Sequence, residues 1–69
     1  MEGQKPSVGR IVHYSHSGTP LAAIITMVHT DTTINLTVFA QNGDSWGRQT
    51  VSYNEDRVTH GTWSWPPRV

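Results

Sequence analysis

The chain has 69 residues, no cysteine, five Lys+Arg against five Asp+Glu, and 35% apolar side chains. A chain this short forms one domain and buries only about 60% of the surface it exposes when unfolded, and without cysteine it has neither disulfides nor thiolate metal sites as support. Oligomerisation is the remaining aid, and the balanced charge argues against polymeric nucleic acid as a partner, because such binders neutralise phosphates with a basic excess.

Residues 1–6 read as a flexible lead to a single domain over 7–69. Met1 to Pro6 has no apolar stretch of the kind a signal peptide needs, and no apolar run reaches membrane-spanning length. Neither a leader nor a membrane partner is expected, and the lack of cysteine fits a cytosolic compartment. Val8 to Tyr14 is the first β-rich run. Ser15 to Pro20 reads as a loop, punctuated by Gly18 and Pro20. Leu21 to His29 reads as the second strand on its β-branched content and the preceding proline, with a helix as the alternative. His29 to Thr33 is a turn. Ile34 to Ala40 alternates cleanly, with Ile34, Leu36 and Val38 on one face and Asn35, Thr37 and Phe39 on the other. Asn42-Gly43 is a strong hairpin signal before the fourth run, Trp46 to Tyr53. Asn54 to Arg57 is turn-like. Gly61 to Trp65 is a last short strand, stopped by Pro66-Pro67.

Five short strands in this length predict an all-β fold, a small SH3-like barrel that oligomerises. Its expected core is Val12, Ile24, Val28, Ile34, Leu36, Val38 and Val51, with one tryptophan as a lid. Phe39 is expected outside, beside exposed indoles, as part of an apolar patch.

The Trp63-Ser64-Trp65 triplet puts two indoles on one face of a strand. One suits the core, and the other suits a flat surface able to stack a base. Stacking contributes roughly 1–3 kcal/mol and needs no basic excess. The same rings, with Trp46, Tyr14, Tyr53 and Phe39, would also serve a small core or an interface. Arg10 and Arg48 fall inside predicted strands, and Arg68 follows the prolines. A guanidinium fork holds phosphate and also stacks on rings; a solvated strand face is the plain alternative.

The four histidines, His13, His16, His29 and His60, read as loop or rim groups. His13 and His16 lie three apart, on opposite faces of a strand, and have no obvious third ligand, so no metal site is expected. No serine sits in a nucleophile-elbow pattern, and Glu55-Asp56 falls in a turn. No acid–base pair emerges, so catalysis is not expected and no cofactor is implied. Asn35, Thr37, Asn54 and Thr62 are polar positions able to read a base edge.

Taken together, Val8-Gly9-Arg10-Ile11-Val12-His13-Tyr14, Ala22-Ala23-Ile24-Ile25-Thr26, Asn35-Leu36-Thr37-Val38-Phe39 and Gly61-Thr62-Trp63-Ser64-Trp65-Pro66 resemble a set of small phage and prophage proteins. The pattern spans nearly the whole chain after residue 7. It is similar to the phage sponge proteins that defeat cyclic-oligonucleotide (CBASS) signalling. That resemblance implies a non-catalytic homo-oligomer in the host bacterial cytoplasm that sequesters a small anionic nucleotide. Trp63, Trp65 or Tyr14 would then stack on a base, Arg10 and Arg48 would pair with phosphates, and His13 or Asn35 would read polar edges. The rival expectation is a virion accessory or host-protein inhibitor that uses Phe39, Trp46 and the late tryptophans as anchors.

Overall fold

The computed structural model describes residues 5–67. Five strands form a closed barrel in sequence order: β1 (Ile11–His16), β2 (Thr19–Val28), β3 (Thr33–Phe39), β4 (Ser45–Tyr53) and β5 (Thr62–Ser64). Neighbours are antiparallel except β4 and β5, which close the barrel in parallel through Ser52–Thr62 and Tyr53–Trp63. The all-β, SH3-like barrel expected from the sequence is the fold observed. Among the described residues there is no helix, and so none long and apolar enough to cross a membrane.

Alternation fills the interior. Val12 and Tyr14 of β1, Leu21, Ala23 and Ile25 of β2, Ile34, Leu36 and Val38 of β3, Val51 of β4 and Trp63 of β5 form one buried cluster. One expected core position differs. Ile24 faces outward opposite Thr37, and its neighbour Ile25 is buried opposite Leu36. Val28, three residues after Ile25, still packs against the core, because an extra residue between Ile25 and Met27 shifts the register and turns the strand by one face.

A second bulge lies in β4. Ile34 pairs with Val51 but Leu36 pairs with Arg48, so β4 advances three residues while β3 advances two. Before the bulge the inward-facing positions are Trp46 and Arg48; after it Val51 is buried, with Tyr53 on the same face but exposed at its end. Thr50 takes up the change at φ 54, and its N–H donates to Asn35 Oδ1 at 2.9 Å. Asn35 Oδ1 also lies 2.9 Å from His29 Nε2. A side-chain oxygen thus satisfies the amide that the ladder releases.

Several boundaries differ from expectation. The β1–β2 connection is a two-residue hairpin, Ser17-Gly18, with both residues at positive φ (51 and 84), not a six-residue loop. Arg10 lies in a turn before β1, where its carbonyl accepts from Ile25 N–H at 2.9 Å. Pro6 is buried, so the packed chain includes a residue assigned to the lead; Lys5 is exposed, and the other lead residues, Met1 to Gln4, lie outside the described residues, as does Arg68.

Candidate functional site along the barrel seam

The first half of β4 shapes the site. From Ser45 to Arg48 it pairs with β3 on one edge, while β5 meets β4 only at Ser52 and Tyr53. The barrel wall therefore opens into a seam beside residues 45–50. Trp46 and Arg48 point inward, opposite the buried Val38 and Leu36. With no wall beyond them, Trp46 is only half-buried and Arg48 is exposed.

Tyr14 and His16 of β1 and His60 of the β4–β5 connection gather across this seam. Arg48 Nε donates to the Tyr14 hydroxyl at 3.3 Å, and Tyr14 is itself fixed in the core. Among the described residues that hydroxyl is the only partner of the Arg48 guanidinium, and its remaining N–H groups face no carboxylate. His16 lies edge-on to Trp46, with ring centres 5.6 Å apart, and 5.3 Å from the His60 ring.

Backbone contacts hold His60 in place. Its Nδ1 accepts the Ser17 N–H at 2.9 Å, and Gly61 N–H donates to the Ser15 carbonyl at 2.9 Å. The preceding loop is folded around Asp56. Its carboxylate accepts from Val58 N–H (2.9 Å), Thr59 N–H (3.1 Å) and the Thr59 hydroxyl. The Thr59 hydroxyl first, then the two amides, hold the Asp56 carboxyl below its ordinary range.

A hollow of about 480 Å³ adjoins this cluster, walled by His16, Leu21, Ala40 and Trp46. The Trp46 indole N–H is buried without a hydrogen-bond partner among the described residues. The seam thus offers aromatic rings, N–H donors and a cationic fork. Donors beside flat rings suit an anion that carries an aromatic group.

No family model, curated protein or solved structure matches this chain. The chemistry of the site is therefore read from its own side chains.

The seven residues singled out in the sequence fall into separate places. Tyr14 and Arg48 meet at the seam. Arg10 and Trp65 meet elsewhere, with the guanidinium carbon 5.1 Å from the indole centre. Trp63 is 1% exposed, and its Nε1 donates to the Thr32 carbonyl at 3.0 Å. It is a core residue, flanked edge-on by Tyr53 and Trp65. Tyr14, 2% exposed, is likewise packed in the core. Neither ring presents a face for stacking in a single chain, which corrects the stacking role expected of them; Trp65, half-buried, retains it. Asn35 braces the β4 bulge. His13 lies on the outer face opposite Ala22 and Ser64, and is half-buried. Sequence reasoning passed over Trp46, His16 and His60 as a site. The signal was present in the alternation of Tyr14 with His16 and of Trp46 with Arg48, but the edge that joins the pairs is a tertiary feature.

Proposed function

We propose that the protein binds a small anionic nucleotide along the seam and holds it unaltered, the sequestering role implied by the resemblance to phage sponge proteins. One observation carries this reading: a guanidinium, positioned by a core tyrosine and unpaired with any acid among the described residues, stands beside a half-buried indole. Arg48 takes a phosphate, Trp46 packs against the base, and His16 and His60 line the rim.

The test mixes purified protein with a panel of cyclic di- and trinucleotides, removes the protein by filtration, and then denatures it. Depletion of one nucleotide followed by its intact recovery supports the reading, and recovery of a cleaved product makes the protein an enzyme instead. Arg48→Ala and Trp46→Ala weaken binding by about fivefold to a hundredfold if each contact contributes its usual ~1–3 kcal/mol. Unchanged depletion by both folded variants rejects the seam as the site.

A protein-interaction role is favoured by a different observation. Ile11 and Ile24, then Ala22 and Phe39, lie in adjacent outward rows of β1–β3, and those three strands carry no Lys, Arg, Asp or Glu. Ile11 is 59% and Phe39 39% exposed. Copurification of a specific host or virion polypeptide that Phe39→Ser abolishes, without nucleotide depletion, identifies this role.

A further inference from the structure

We propose that the open edge of β4 is completed by the same segment of a second copy, antiparallel and centred on Gly47. The barrel closes through only two residue pairs of β4, which leaves the edge beside Ser45–Arg48 without a strand among the described residues. Natural edges are blunted by proline, lysine, inward charge or a covering element. The segment Ser45-Trp46-Gly47-Arg48-Gln49 has no proline, lysine or carboxylate, and its one inward charge, Arg48, is the group that the pairing of two copies sets against an indole. A Cβ built on Gly47 meets nothing within 4 Å, so a side chain can be introduced there on the outer face of the strand.

The occupant follows from register. An antiparallel pair centred on Gly47 sets Gly47 against Gly47 and Trp46 of each chain against Arg48 of the other. Directly opposed side chains share one face, so each guanidinium meets an indole and neither meets its like. The segment is therefore self-complementary, as a two-fold contact requires. The chain is neutral overall, so two copies do not repel. Peptides of other sequence would gain the backbone bonds but not the reciprocal indole–guanidinium pairs. The self-association stands alone; its consequence for the ligand, a seam walled by two chains with the second Trp46 over Arg48, rests on the nucleotide reading.

The absence of native cysteine makes the test direct. Opposed Cα atoms in an antiparallel pair lie about 4.5–5.5 Å apart, inside the range of about 4.4–6.8 Å that a disulfide spans. Gly47→Cys should form a disulfide-linked dimer under mild diamide oxidation. Ser45→Cys should not, because its symmetry mate lies four residues away along the strand, roughly 13 Å. The unmodified protein should sediment as a dimer at about 100 μM and shift toward monomer near 1 μM, as an association in that range requires. Arg48→Glu should remove the dimer boundary while circular dichroism keeps its β signature. A monomeric wild type at the higher concentration, or crosslinking of the Ser45→Cys variant as fast as the Gly47→Cys variant, overturns the proposal. Nucleotide depletion is scored separately: a monomer that depletes nucleotide refutes the interface and spares the ligand reading, and a dimer that depletes none does the reverse.

Discussion

Trp63 and Trp65 sit two residues apart, yet they do different work. Trp63 fills the core and satisfies its indole N–H on the Thr32 carbonyl, while Trp65 is half-buried under Arg10. Trp63→Ala removes a large core side chain and strands a backbone carbonyl, at a cost of about 3–5 kcal/mol. That is comparable to the whole stability of a domain this small, so urea titration should find the variant unfolded. Trp65→Ala should stay folded and lose under about 2 kcal/mol. That one indole would be core and the other surface was legible from spacing alone. Which was which was not, because it depends on Tyr14 and Tyr53 lying opposite Trp63 in the register. Tyr14 carries a further distinction. Tyr14→Phe keeps the core volume but removes the acceptor for Arg48 Nε, so it should leave thermal stability nearly unchanged and weaken nucleotide binding by roughly threefold to tenfold. Equal binding by the two proteins would show that Arg48 needs no brace.

At the scale of elements, alternation foretold most of the core but not the positions where it breaks. Val12, Ile34, Leu36 and Val38 lie where period two places them, and Val51 is buried across a break in that period. Ile24 and Ile25 have identical side chains, and only the pairing with β3 decides which is inside. Bulges leave no mark in composition, so the exchange between them was not readable. Asn35 shows the same limit: a polar residue in a strand suggested ligand recognition, and its Oδ1 instead braces the bulge amide of Thr50. Asn35→Ala should cost about 1–2 kcal/mol in denaturant titrations, and amide exchange at Thr50 should accelerate. The β4–β5 loop responds to acid. The Asp56 carboxyl is lowered by the Thr59 hydroxyl and by the Val58 and Thr59 amides, so folding favours its ionised form. Its contribution is therefore present above the ordinary aspartate range and is lost as pH falls through the lowered value. Nuclear magnetic resonance should show the Val58 and Thr59 amide shifts moving together as pH falls below the ordinary aspartate range, and Asp56→Ala should abolish that titration.

Across the whole molecule, the zero net charge sets how any anion is captured. Without a long-range field there is little electrostatic steering, and a few local contacts must do the holding. Raising salt from about 50 to 200 mM should weaken nucleotide binding only a few-fold, whereas a chain that coats many phosphates loses about 10³–10⁵. A steep salt slope would point to polymeric nucleic acid instead. The overall architecture was legible because turn residues divide the chain into five short β-rich runs, and the closed barrel uses all five. The seam was not, because it arises where β5 is too short to follow β4 to its beginning.

The β4 bulge has a consequence for how this strand can change over generations. Its single extra residue switches the inward register from Trp46 and Arg48 to Val51 and Tyr53 within one strand. Deleting one residue at Gln49 or Thr50 would restore regular pairing and turn one half of the strand inside out. Either the core would lose Val51 or the seam would lose its cation. Point substitutions can tune each half separately, but length variation is closed to both, so a deletion scan should find residues 46–51 intolerant and the Gln41–Asp44 hairpin permissive.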